Sequence, residues 1–328
     1  MNFAMSPRLS GLLAGLALLH CALAAGQGYP AKAVHIVLPV SGGGIQDNLT
    51  RAMAPEMTRR LGQPVIVDNR GGANGILASE YVAHSAPDGY TILMTSYIQV
   101  SNDLVPGITK LTFDPVKDLM PVIGLVSTGN IMVTTPQFPA NNLQELIALA
   151  RQKPGQLNYG SWGIGSSPHI DTETISRLAG VTMTHVPYKG GGPLLQAVLA
   201  KEIDFTIMAL QTALPSIRQG RLKALAFGGL QRSTVLPDVP TISESGFKNF
   251  DSGGWFGWLV PAATPKAVVE RIAADASAVI TNPAFRDKHI LELGMEVLNL
   301  SSAAFAERFK TDREAYAARL KGLGAKPL

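Results

Sequence analysis

Pro39-Val40-Ser41-Gly42-Gly43-Gly44-Ile45-Gln46-Asp47 follows the apolar run Val34-His35-Ile36-Val37-Leu38. It precedes a segment in which Ile45, Leu49, Met53, Met57 and Leu61 recur at every fourth position. The apolar run reads as a strand and the periodic segment as a helix. The order is strand, glycine-rich turn, helix. Successive glycines permit a tight bend and leave their backbone N–H groups uncovered. Those groups lie at the positive end of a helix, where an anion is stabilised. A tight turn that binds nothing has the same local sequence, so the loop alone does not decide between the two.

The chain continues in the same style. Val65-Ile66-Val67 reads as a second strand, Asp68 to Gly75 as a turn-rich loop, and Leu77 to about His84 as a helix. Pro87-Asp88-Gly89 is a turn, and Tyr90 to Thr95 a third strand. A β-α-β-α-β order is the signature of a parallel sheet. Ser96 to Lys110 is irregular. Val122 to Val126 and Ile131 to Val133 then read as strands, and a passage from a first lobe to a second is placed between them. Asn142 and Glu145 form a capping box for a helix whose inner face is Leu143, Leu146, Ile147 and Ala150. Pro55 falls inside the first helical pattern, where a missing N–H and a ring clash predict a kink.

Ser161-Trp162-Gly163-Ile164-Gly165-Ser166-Ser167-Pro168-His169 repeats the opening arrangement after the short strand Gln156 to Gly160. Ser167-Pro168 reads as a helix start, with Ser as N-cap and Pro at the first helical position. Each half of the chain thus carries one strand-to-helix turn that could aim N–H groups and hydroxyls at a shared anion. Two unrelated turns are the alternative. Asp204 to Ala209 and Lys223 to Phe227 read as strands and Thr212 to Gln219 as a short helix. Trp255 to Val260, an aromatic strand, returns to the first lobe. Thr264-Pro265 and Asn282-Pro283 open two more helices, and a last helix runs from about Ala303 to Leu320. The expected division is residues 1–25 as a signal peptide, 29–126 with 250–328 as lobe one, and 127–249 as lobe two.

The leader reading rests on Arg8, the apolar run Leu9 to Ala25, and a small-residue exit at Ala22-Leu23-Ala24. Gly11, Gly15 and His20 interrupt the run, which is short for a membrane span. Cys21 raises the alternative of lipoprotein processing, but His20 stands where a small residue is wanted. Cys21 is the only cysteine, so the exported part has no disulfide, thiol nucleophile or Cys-based metal site. The net charge of +4 becomes +3 without Arg8 and is dispersed, with no basic block to track nucleic acid.

Catalytic patterns do not fit. Tyr159 and Ile164 stand where a nucleophile elbow needs glycine two residues before Ser161 or Ser166. The glycines after Gly160 do not follow the dinucleotide order, and the P-loop lysine is missing. The six histidines are scattered without paired ligand spacing. No metal, cofactor or catalytic residue is therefore expected. His169, in a first helical turn, reads as a packing or capping residue, and Asp47 as an acid that complements its helix dipole or as a ligand contact.

Taken together, several short pieces resemble one family, the periplasmic solute receptors of tripartite tricarboxylate transporters (Bug-type or TctC-like binding proteins). They are Pro39 with Gly43-Gly44 and Asp47; Leu61 to Val65 with Asp68-Asn69-Arg70; and Ala86 to Thr91. Further on come Asp114 to Asp118; Leu157 to Ser161 with Gly165-Ser166 and His169; His185 to Gly190; Leu236 to Thr241; and Trp255-Phe256-Gly257. The resemblance runs from about Tyr29 to the C-terminus. It implies an α/β, type II-like periplasmic-binding-protein fold of two lobes. Each lobe would be a mixed, mainly parallel sheet flanked by helices, and crossing strands would hinge the two. It implies an exported, periplasmic monomer that captures a small carboxylate (a di- or tricarboxylate or an aromatic carboxylate) and hands it to permease subunits. The ligand contacts it implies are Ser41, Gly42, Gly43, Gly44, Asp47, Tyr97, Ser161, Gly163, Gly165, Ser166, Ser167 and His169. The chain departs from the family at Ser41, Gly42 and Ile45. It also departs at Met208-Ala209, where an Asp-Asn pair would favour an amino-group ligand, and at Tyr97. These departures point to a carboxylate with an apolar or aromatic body. A sensor that feeds a signalling partner would need the same cleft, whereas an enzyme would need chemistry the sequence lacks.

Overall fold

The structure, a computed structural model, describes residues 28–72, 75–96, 99–104 and 111–322. The expected leader and Tyr97 lie outside the described residues. The chain begins β1 (Val34–Leu38), α1 (Ile45–Leu61), β2 (Val65–Asn69), α2 (Ile76–Ala83), β3 (Thr91–Ser96), a 3-10 turn (Gln99–Leu104) and β4 (Leu119–Thr128). A second group follows: β5 (Asn130–Thr134), α3 (Leu143–Gln152), β6 (Asn158–Ser161), α4 (Ser167–Ala179), β7 (Thr184–Pro187), α5 (Gly191–Leu199), β8 (Phe205–Ala209), α6 (Leu210–Arg218) and β9 (Lys223–Phe227). The chain closes with β10 (Gly254–Pro261), α7 (Lys266–Ile280), α8 (Pro283–His289), β11 (Glu296–Leu300) and α9 (Ser302–Gly322).

These strands make two sheets. The first has six strands in the order β11-β4-β10-β3-β1-β2, and the second has five in the order β7-β6-β8-β5-β9. The expected β-α-β-α-β unit is present, with β1 parallel to both β2 and β3. "Mainly parallel" needs correction, because β10 pairs antiparallel with β3 and β4, β11 with β4, and β5 with β8 and β9. The reason is the crossover. The chain leaves the first sheet along β4 and returns along β10 in the opposite sense, so the strands around the crossing are antiparallel. The two crossings run side by side: Gly228 N–H donates to Asn130 C=O at 2.7 Å, and Ser252 N–H donates to Gly228 C=O at 2.7 Å. Gly129, between β4 and β5, has the Phe227 ring where a side chain would stand.

Alternation along β1 buries both faces of the first sheet. Val34, Ile36 and Leu38 pack with Met53 and Met57 of α1, Trp258 of β10 and Ile272 of α7. Val37 packs on the other side with Leu93, Trp255, Phe305 and Phe309. The second sheet is also sandwiched, with Tyr159, Phe205 and Ile207 on one side and Ile131, Val133 and Met208 on the other. Each fully buried side chain of this size contributes about 1.5–3 kcal/mol.

Local signals hold with small shifts. Asn142 Oδ1 accepts the Glu145 N–H at 2.9 Å, and all four residues of the predicted inner face of α3 are buried. Glu145 reaches back to the N–H of Asn141, not that of Asn142. Asn282 caps α8 through the Phe285 N–H, whereas α7 starts one residue later than expected, at Lys266. The proline at position 55 does not interrupt α1, which is one helix from Ile45 to Leu61. Pro55 is exposed, so water can satisfy the carbonyl its missing N–H leaves free.

Candidate functional site

The first candidate loop joins β1 to α1. Ser41 to Gly44 are exposed, while Gln46 and Asp47 are buried. Gly43 has φ +89°, a left-handed conformation that side-chain-bearing residues rarely adopt. The helix begins its own bonding with Asn48 N–H to Gly44 C=O at 2.9 Å, so the N–H groups of Ile45, Gln46 and Asp47 precede the helical ladder.

Asp47 is held by the protein itself. It is only 3% exposed, and both its oxygens are occupied. Oδ2 accepts the Gly43 N–H at 2.8 Å, Oδ1 accepts Asn69 Nδ2 at 3.0 Å, and Arg51 Nε donates to both oxygens at 2.9 and 3.0 Å. Burial alone would raise this carboxyl. The Arg51, Gly43 and Asn69 hydrogen bonds outweigh burial and hold it below the usual carboxylate range. Asp47 therefore braces the loop. Around it, Asn69 Nδ2 also donates to Val40 C=O, and Gly71 lies so close to Ser41 N that a side chain there would clash. Gln46 Nε2 donates to Gln99 Oε1 at 2.9 Å, and Gln99 Oε1 accepts the Ser96 N–H at 3.0 Å, so the first turn of α1 is tied to the end of β3.

The second loop joins β6 to α4. Gly163 (φ +128°) and Gly165 (φ +80°) carry the bends, and Ile164 between them is 74% exposed. Ser161 is fully buried; its Oγ accepts the Gly163 N–H at 3.0 Å and lies 2.7 Å from His185 Nε2. Ser166 Oγ donates to Gly163 C=O at 2.6 Å, and Ser167 Oγ donates to Asp171 Oδ2 at 2.7 Å. All three are turned into the protein because a buried hydroxyl needs a partner and loop or helix acceptors lie within reach. The helix start also shifts by one residue: Ser166 stands at the N-cap without capping through its side chain, and Pro168 lies in the first turn. The N–H groups of Ser167 and His169 precede the first helical bond, Ile170 N–H to Ser166 C=O.

His169 acts as the expected capping residue, its Nδ1 accepting the Gly165 N–H at 3.2 Å. Its ring lies 4.3 Å from that of His185, which stacks on Tyr159 at 5.0 Å. Burial pushes the His185 imidazole down to about 4, helped by His169. Burial also lowers His169, with Glu173 pulling the other way. Ser161 is fully buried and its Oγ also accepts the Gly163 N–H, so its contact with His185 ties β6 to β7 inside the protein. Sequence reading did not place His185 in the site. Only the parallel pairing of β6 with β7, which sets Tyr159 opposite His185, brings it there. Met208 likewise turns out to be core, fully buried among Ile131, Val133 and Leu210, so of that pair only Ala209 is partly exposed.

No group of three or more His, Cys, Asp or Glu able to hold a metal occurs among the described residues. No helix among them is long and apolar enough to cross a membrane.

The description "Tripartite tricarboxylate transporter family receptor" matches residues 49–321. The chain belongs to this TctC family. A UPF0065 protein of Bordetella pertussis is 36% identical over 274 residues, covering 83% of this chain and 84% of the relative. Among solved structures, the periplasmic binding protein BugD superposes with TM-score 0.81 at 30% identity, covering 91% of this chain and 99% of its own. The R. palustris protein Rpa4515, solved with adipate, gives TM-score 0.84 at 30% identity and coverages of 92% and 100%. MatC from Rhodopseudomonas palustris, with bound malate, gives 0.79 at 30% identity and coverages of 89% and 100%. TctC-family proteins are solute-binding receptors, not enzymes, and work with tripartite transporters. The protein is accordingly a solute-binding receptor of this family.

Proposed function

We propose that this TctC-family chain is exported, loses residues 1–25, and captures a small carboxylate between two lobes, 29–126 with 250–328 and 127–249. It then delivers the ligand to the permease subunits of a tripartite tricarboxylate transporter. The observation that carries this reading is the pair of strand–glycine turn–helix loops, each with first-turn N–H groups outside the helical ladder. Such ends bind anions without a cation. The ligand is a dicarboxylate, a tricarboxylate or an aromatic carboxylate, held through Ser41 to Gly44 and through the backbone from Gly163 to His169. Ile45 and the exposed Ile164 favour a ligand with an apolar body over an amino acid, and adipate and malate bound to relatives mark the size range.

Thermal unfolding against dicarboxylates, citrate, aromatic acids and amino acids tests this. A ligand at about 100 times its Kd stabilises the fold by about 2.7 kcal/mol. One carboxylate class is expected to raise Tm. No shift with any carboxylate, in protein stripped of co-purified ligand by unfolding and refolding, would overturn the reading. A response confined to amino acids would overturn the apolar-body preference.

A further inference from the structure

α9 is rooted on the first sheet and ends on the second. Phe305 and Phe309 pack against Trp255, with ring centroids 4.7 and 6.2 Å away, and Trp255 Nε1 donates to Asp312 Oδ2 at 2.8 Å. Arg308 Nε donates to the same carboxylate at 2.7 Å. One turn on, the helix leaves its own sheet. The buried Tyr316 hydroxyl donates to the Gly165 carbonyl at 2.6 Å, across 151 residues of sequence. Three residues later Arg319 Nη1 pairs with Asp171 Oδ1 of α4 at 3.1 Å, and Nη2 donates to the Asp251 carbonyl. Asp171 is 1% exposed and also accepts from Ser167 Oγ and Ser252 Oγ. Asn130 Nδ2 closes the set on Ser167 Oγ at 2.8 Å and Ser252 C=O at 2.7 Å.

We propose that Tyr316 is a positioning residue for the carboxylate site, so that the last turns of α9 set the ligand-binding geometry of the loop from Gly163 to His169. The inference rests on the receptor reading above. The Gly165 peptide is the joint of that loop. At φ +80° glycine has little intrinsic preference for one orientation of the adjoining peptide; the Ser166 N–H holds one edge of that peptide through Gly163 C=O at 3.2 Å, and Tyr316 holds the other. On one side His169 holds the Gly165 N–H, and on the other Tyr316 holds the Gly165 carbonyl. With both ends held, the N–H groups of Ser167 and His169 are already aimed before a ligand arrives. Without Tyr316, the ligand must order the loop as it binds, which weakens affinity. The Arg319–Asp171 pair fixes the first turn of α4 against α9, so the tyrosine and the loop keep their register.

Tyr316→Phe removes one hydroxyl and little else. The carboxylate that raises wild-type Tm is expected to bind Tyr316→Phe about tenfold more weakly, the equivalent of one buried hydrogen bond. Amide exchange is expected to quicken within residues 161–170 and nowhere else. Asn142→Ala, which removes the cap of α3, is expected to lower Tm while leaving affinity and loop exchange as in the wild type. Equal affinity and equal loop exchange in Tyr316→Phe would overturn the proposal while wild-type binding left the receptor reading intact. Global quickening of exchange with lower Tm in Tyr316→Phe would also overturn it, as the mark of a purely structural role. Absence of carboxylate binding in the wild type would count against the receptor reading itself.

Discussion

The Asp47 carboxylate accepts the N–H of Gly43, four residues earlier, at 2.8 Å, so the first turn of α1 folds its own glycine loop back onto itself. An acid at the start of a helix is usual as a partner for the dipole. Here it also holds the backbone of the loop that precedes the helix.

Asp47→Asn should therefore loosen the loop. It removes a charged acceptor from Gly43, Arg51 and Asn69, and a lost buried hydrogen bond to a charged group costs about 1.5–3 kcal/mol. Urea unfolding at neutral pH reads this directly. The difference should shrink in acid. The folded carboxyl is depressed below its ordinary value of 3.8, so its contribution is whole above that pH and fades as pH falls through the folded value. A gap between wild type and variant that persists unchanged at pH about 2 would contradict this account.

His185 supplies a second pH dependence. Its folded value of about 4 lies below the ordinary 6.5, so between these the unfolded chain binds the extra proton. Stability should rise with pH across that window and level off above it. The ring is half-buried, so the effect is modest. His169 acts in the same direction. His185→Gln should flatten the urea midpoint between pH 4 and 6.5 relative to wild type; parallel profiles would remove His185 from the account.

Two glycines should fail in different ways. Gly43→Ala meets open space but must adopt φ +89°, at a cost of about 1–2 kcal/mol or a reset loop, so ligand affinity should fall more than stability. Gly257→Ala meets the Phe305 ring and the Ile123 carbonyl at 2.9 Å, and overpacking of that kind costs about 1–3 kcal/mol. Here stability should fall more than ligand affinity. Calorimetric titration beside thermal unfolding separates the two outcomes.

Asn142→Ala removes the side chain that caps α3 and should cost about 1 kcal/mol, with no change in ligand affinity. Chemical denaturation checks the first figure, and the ligand titration checks the second. An unchanged midpoint would mean that water or Glu145 replaces the cap.

Much of this was legible along the chain because its causes are local. Alternation in Val34 to Leu38 and the four-residue period from Ile45 to Leu61 each need only a strand's or helix's own geometry. Asn142 with Glu145 and Asn282 with Pro283 announce helix starts through bonds that span three residues. The glycine-rich turns were visible for the same reason, since a left-handed bend is a property of one residue.

The rest was decided by contacts between residues far apart in sequence, which no local pattern encodes. Ser161, Ser166 and Ser167 bond inward because the fold brings Gly163, His185 and Asp171 within reach of their hydroxyls. His185 comes beside Ser161 and His169 only because β7 lies beside β6, and Met208 is core because β8 is central in its sheet. The antiparallel share of both sheets followed from how the chain crosses between them at Gly129 and returns at Gly254. Tyr316 reaches Gly165 only after α9 has docked on Trp255. Sequence determined the elements and the kind of loop that could hold an anion. Tertiary structure decided which polar atoms are already paired, because buried groups take their hydrogen bonds from whatever the fold places beside them.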